Sequence, residues 1–147
     1  MITIQEEDFD VADLLDQLTS QSAGACVNFI GRVRNHNQGQ SVTGLFIEHY
    51  PAMTQSAIEA IVEKARERWQ IERVVVVHRI GHLELGNNIV FVGIASAHRH
   101  DAFHACEFIM DFLKNRAPFW KKETTEIGER WVEFNEKDRE ALEHWLK

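Results

Sequence analysis

The stretch Ile89-Val90-Phe91-Val92-Gly93-Ile94-Ala95-Ser96-Ala97 decides the fold. It is rich in β-branched and aromatic residues, and nothing polar interrupts it before Ser96. A strand that alternates apolar and polar has one wet face; a strand apolar throughout is covered on both and lies mid-sheet. Val74-Val75-Val76-Val77, inside residues 73–80, predicts a second buried strand of the same kind. Residues 81–88, between the two, read as a turn region. Downstream, Asp101 can cap a helix over residues 102–114. That segment is apolar almost all round (Phe103, Ala105, Cys106, Phe108, Ile109, Met110, Phe112, Leu113) and is therefore buried.

Upstream, residues 1–5 alternate weakly, as a short edge strand would. Asp8 or Asp10 can cap a helix through about Thr19, with Val11, Leu14, Leu15 and Leu18 on one face. Residues 25–33 and 42–50 are β-rich and flank the polar, turn-forming residues 34–41, so the two strands are expected to pair as a hairpin with a long tip. Pro51 suits the first turn of a helix. Ala57, Ile58, Ile61, Val62, Ala65 and Trp69 then recur at helical spacing, with charged residues on the other side. Near the C-terminus, residues 121–125 and 130–134 form two short strands around Gly128, and residues 136–145 a closing helix. Strands and helices mix without strict βαβ alternation. The expected class is α+β, a mainly antiparallel sheet with packed helices, and 147 residues suit a single domain over 1–147.

The net charge of -7 argues against general nucleic-acid binding, which needs a basic footprint. It leaves room for a local anion pocket. No apolar run approaches the roughly 20 residues of a membrane helix. The acidic N-terminus carries no signal-peptide pattern, which points to the cytoplasm. Cys26 and Cys106 match no zinc or CxxC spacing, and their apolar surroundings predict buried free thiols.

In this acidic chain, Lys114-Asn115-Arg116-Ala117-Pro118-Phe119-Trp120-Lys121-Lys122 sets four cations around an apolar knuckle. Pro118 must end the preceding helix. Lys114 then lies in a last helical turn and Lys121 just past the break, so a sharp bend can bring both ammonium groups to one pocket. A solvated basic loop over a core Trp is the plainer alternative. Two further cationic points, Arg32/Arg34 and His98/Arg99, also fall at element ends, where sites are usually built. Together they suit a ligand with phosphate or carboxylate groups. His98, His100 and His104 suggest a metal by spacing, but no carboxylate or cysteine completes a set, and no metal is expected. Cys106 as a sulfur-carrying nucleophile is disfavoured by its apolar helix, since a reactive thiolate wants an electropositive, partly exposed setting.

Five runs extend the pattern: Gly31-Arg32-Val33-Arg34-Asn35-His36-Asn37, Glu48-His49-Tyr50-Pro51-Ala52-Met53-Thr54, His78-Arg79-Ile80-Gly81, Ser96-Ala97-His98-Arg99, and the segment from Lys114 to Lys121. In order, and over roughly residues 24 to 133, they resemble the large, catalytic subunit of molybdopterin synthase. The resemblance implies an α/β-hammerhead fold and a homodimer within a heterotetramer. A small ubiquitin-like sulfur-carrier subunit would insert its thiocarboxylated Gly-Gly tail into the pocket. The implied substrate is cyclic pyranopterin monophosphate (precursor Z), which receives two sulfurs to form the dithiolene of molybdopterin, with no cofactor or metal in the step. By the same resemblance Lys114 is the catalytic lysine beside the tail and Lys121 the second, at the pterin. Arg32, Val33, Arg34, His98, Arg99, Lys121, Lys122 and Glu123 match segments that line the substrate site, which a second protomer completes. A non-catalytic binding module for a ubiquitin-like tail or an anionic nucleotide is the alternative from another class.

Overall fold

The computed structural model describes residues 1–133 and 135–147. Its first sheet has four strands, in the spatial order β1 (Ile2–Gln5), β5 (Arg73–Arg79), β7 (Asn88–Ser96), β2 (Ala25–Arg32). Only the β1–β5 pair is parallel. The apolar run 89–97 is β7, and it is mid-sheet: Val92 pairs with Val76 on one side and Phe29 on the other. Helices α2 (Pro51–Arg68) and α3 (Arg99–Arg116) cover one face through Ile58, Ala65, Ala105 and Ile109, packed on Val76, Val92 and Ile94. Helix α1 (Val11–Gln17) covers the other, where Leu14 and Leu18 meet Val75, Val77 and Phe91. Asp10 caps α1, its Oδ1 accepting the backbone N–H groups of Ala12 and Asp13.

The second sheet is built on β4 (Gln40–His49), flanked by β6 (Gly81–Glu84) and β8 (Phe119–Thr125). The two-residue β3 (His36–Asn37) folds back on β4, and β9 (Gly128–Trp131) extends β8. Val33, Leu45, Ile47 and Leu83 form a small core under it. Helix α4 (Glu136–Leu146) closes the chain against α3. The fold is α+β with mostly antiparallel pairing. Among the described residues no helix is long and apolar enough to cross a membrane.

Several expectations need correction. Residues 25–33 and 42–50 do not form a hairpin. Instead β2 pairs along the length of β7, from Ala25↔Ser96 to Arg32↔Asn88, and β4 belongs to the other sheet. A long ladder on a buried strand outweighs a local tip, and a register shift between Gly31 and Arg32 turns the chain away. Residues 81–88 are not all turn: β6 alternates buried and exposed, sinking Leu83 into the small core. Helix α3 begins at Arg99, three residues earlier than expected. Asp101 therefore lies in its first turn, and its carboxylate accepts the Gln70 backbone N–H at 3.1 Å. Strand β8 starts at Phe119, and β9 runs 128–131; the end of the strand expected over 130–134 falls on residue 134, outside the described residues. Cys106 is buried as expected, but Cys26 is exposed on edge strand β2.

Helix α1 sits close on β7 because residue 93 has no side chain. A Cβ there would lie 2.5 Å from Leu18 Cδ1 and 2.7 Å from a Phe91 ring carbon. Gly93→Ala should therefore overpack this face and destabilise the protein by about 1–3 kcal/mol, read as a lower urea midpoint with an unchanged m-value.

Candidate active site

The site follows from how α3 ends. Pro118 forbids continuation of the helix, Ala117 is already extended, and Phe119 enters β8 at once. Helix and strand thus meet at an angle, with Lys114 in the last turn of one and Lys121 on the other. Pairing of β8 with β4, from Phe119↔His49 to Thr125↔Val42, then fixes which side chains turn inward. Lys121 and Glu123, two residues apart, share the inner face. Lys122 points outward: its Nζ lies 3.1 Å from a Glu129 carboxylate oxygen and over the Trp131 ring.

Between this strand, α3 and the end of β2 lies a cavity of about 780 Å³. Arg32, Val33 and Arg34 line it from the β2 end, Lys114 from α3, and Lys121 and Glu123 from β8. Five charged groups of the sequence-based set therefore meet there, with Val33 as buried wall. His98 and Arg99 do not line it. They start α3, fifteen residues before Lys114, and an α-helix rises 1.5 Å per residue, a separation on the order of 22 Å.

The charges in the cavity are unequal. Burial, and then the neighbouring Lys114 ammonium, hold the Lys121 pKa down from 10.5 to about 8, against the pull of Asp138 and Glu123. Lys114 itself is exposed. Glu123, only 7% exposed, is already engaged. Its two oxygens accept from Asn37 Nδ2 at 3.0 and 3.1 Å, and Arg130 Nε donates to it at 3.3 Å. Arg130 Nη2 also donates to the Asn37 carbonyl at 2.8 Å. These bonds tie the β3 tip to β8 and β9, so Glu123 holds the rim carrying Arg34 in place.

Two wall residues were given no site role by the sequence reading, although His78 lies in one of the five runs quoted above. His78, at the end of β5, is 5% exposed and stacks flat on Phe119, with ring centroids 3.7 Å apart. Its signal was a lone polar side chain closing a Val run. Asp138, on α4, is placed by Asn115, whose Nδ2 donates to the carbonyls of Asp138 and Asp111; nothing local in the sequence marks it. Elsewhere, His104 stacks on Trp69. Burial, and Glu107 beside it, push the Cys106 thiol up to about 12. That leaves it protonated and no nucleophile.

A family model described as MoaE protein matches residues 4–116. The chain belongs to the MoaE family. A molybdopterin synthase catalytic subunit of Haemophilus influenzae is 56% identical over 145 residues, covering 98% of this chain and 97% of that protein. A solved structure described as the molybdopterin biosynthesis MoaE protein of Burkholderia ambifaria superposes with a TM-score of 0.84 at 44% identity, covering 99% and 97% of the two chains. A Helicobacter pylori structure, described as a complex of subunits 1 and 2 of molybdopterin-converting factor, has a chain of the same fold, with TM-score 0.75, 20% identity and 90% coverage of each. MoaE-family membership makes this a catalytic subunit of molybdopterin synthase, an enzyme of molybdenum-cofactor biosynthesis. The binding-module alternative is not favoured.

Two outcomes follow from the MoaE site. Lys121 is charged at pH 7 in a place that disfavours charge. The unfolded chain binds more protons than the folded one between about pH 8 and 10.5, so stability rises with pH in that window. Lys121→Met should melt at a higher temperature than the parent at pH 7, with the gain shrinking as pH rises from 8 to 10.5. Glu123→Ala should leave Asn37 and Arg130 without their shared acceptor, and hydrogen exchange should accelerate in residues 34–40 while the β7 amides keep their protection.

Proposed function

We propose that the cavity brings together two anions, the thiocarboxylated C-terminal tail of a small ubiquitin-like carrier subunit and cyclic pyranopterin monophosphate, and that sulfur passes from the first to the second to form the dithiolene of molybdopterin. One observation carries this reading: Lys114 and Lys121, separated by a proline break, converge on one partly desolvated cavity. Like-charged reactants repel, and fixed cations in a site of low dielectric offset that repulsion and stabilise charge that develops in the transition state.

The lysines take different parts in this reading. Lys114, exposed at the helix end, receives the entering tail. Lys121, with a pKa of about 8, is mostly charged at pH 7 yet readily gives up its proton, which suits a general acid for a leaving oxygen. Arg34 and Arg32, which line the cavity from the β2 end, take the phosphate in this reading. The carrier's approach is supported by the rim. Trp120 lines the cavity and is exposed, and the exposed Tyr50 meets it in edge contact at 5.0 Å. An apolar lip of this kind suits a protein surface more than a small charged ligand.

His98 and Arg99 belong to the reading through a second copy of the chain. Strand β2 is the outer strand of its sheet and leaves Phe29 exposed beside the cavity. Ala25, at its start, pairs with Ser96, two residues before His98. Antiparallel pairing of two β2 strands about their middles would set the Ala25 end of one by the Arg32 end of the other. His98 and Arg99 of the second copy would then approach the cavity of the first. The assembly so read is a homodimer with one carrier at each cavity.

The test is reconstitution. Thiocarboxylated carrier, this protein and cyclic pyranopterin monophosphate should yield molybdopterin, and Lys114→Ala should abolish turnover without lowering the melting temperature. Wild-type turnover by Lys114→Ala would remove that residue from the mechanism. Binding of both reactants without product would favour a non-catalytic module. Cys106→Ser should stay active, because the sulfur arrives on the carrier.

A further inference from the structure

The cavity is rich in cationic donors, and these account for the anionic ends of its ligands. They do not account for a heterocycle that itself carries N–H donors. Such a ring needs acceptors, and beside a phosphate those acceptors should be neutral, because a carboxylate would repel it. Glu123 already accepts from Asn37 and Arg130, and Asp138 is a second carboxylic side chain.

His78 has the required properties. Its Nδ1 lies 2.8 Å from the Arg79 carbonyl, which can only accept, so Nδ1 carries the proton and Nε2 is a bare lone pair. The Nδ1 contact is the only hydrogen bond of the ring among the described residues, and His78 lines the cavity. Phe119 stacks on the ring at an interplanar angle of 13° and fixes its plane. The ring is 95% enclosed, from the 5% exposure above, and so cannot swing away. Burial and the Lys121 ammonium hold its pKa down to about 3, so it stays neutral wherever the protein is folded and active.

We propose that His78 is a substrate-binding residue whose Nε2 accepts a ring N–H of the reduced pterin, setting which end of the heterocycle faces Lys121. This rests on the reading of the cavity as a pterin site. It adds a specificity contact: a ligand of equal charge without an N–H in that place leaves a buried acceptor unpaired and is discriminated against.

The experiment uses the reconstituted complex and three variants. His78→Asn keeps a donor toward the Arg79 carbonyl but nothing at the Nε2 position. His78→Phe keeps the stack alone. His78→Gln reaches the Nε2 position with an amide oxygen. The KM for cyclic pyranopterin monophosphate should rise roughly five- to tenfold in the Asn and Phe variants, the effect of one buried hydrogen bond. The KM for the carrier and kcat should hold, and Gln should recover most of the loss. An unchanged pterin KM in Asn and Phe, or an equal loss against both substrates, overturns the assignment. Rescue by Asn but not Gln would make the residue structural and overturn it equally. A measurement on the unaltered protein guards against misfolded variants: the ¹⁵N resonance of Nε2 should move upfield when the pterin is added, and no movement at saturation refutes the contact. If the unaltered complex binds no pterin and makes no molybdopterin, the reading of the cavity fails as well; if it is active and His78 is silent, only this contact does.

Discussion

A ring that cannot continue a helix sets the geometry of this molecule. Pro118 halts α3 while its last turn still carries Lys114, and the chain must leave in an extended direction. The strand that follows pairs with β4 along its length, and the ladder from His49↔Phe119 onward decides its facing. Because side chains alternate along a strand, adjacent lysines part company: Lys121 enters the cavity and Lys122 meets Glu129 at the surface. Moving that register by one residue would exchange them.

The two sheets divide the labour. The first is rigid by construction, with β7 covered by α1 on one face and by α2 and α3 on the other. The second carries a thin core of its own and contributes Lys121 and Glu123 to the cavity. Its rim is steadied by polar bonds, with Glu123, Asn37 and Arg130 as the fastening. Loops held by a few charge-assisted bonds over a rigid base can adjust to an entering chain more readily than packed strands can.

What could be read from the sequence was what local chemistry writes there. The all-apolar character of residues 89–97 placed β7 mid-sheet, helical spacing gave α2, and Pro118 gave the end of α3 and the convergence of Lys114 with Lys121. Strand partnership was not legible, because residues 25–33 and 42–50 sit either side of a turn whether they pair with each other or not. Their separate destinations depend on β7, far along the chain. His78 was hidden for a related reason: its strand was legible, but the stack on Phe119 joins β5 to β8 and appears only once both sheets exist. The positions of His98 and Arg99, distant from the cavity of their own chain, reflect a helix longer at both ends than the sequence reading of 102–114. Asp138 owes its place to a side-chain bond from Asn115 that no periodicity encodes.

The state of the two cysteines has a consequence for control. Cys106 lies against β7, its thiol pointed at the Val92 carbonyl, and holds its proton through any physiological pH. Oxidation to sulfenic acid begins from a thiolate, and this residue supplies almost none. Cys26 is exposed, but burial of part of its surroundings also raises its pKa, and it lies outside the cavity. Among the described residues the reaction chamber therefore contains no thiol of its own. Thiol-directed oxidation would reach this step through the sulfur donor that visits it, and not through a cysteine of the chamber wall.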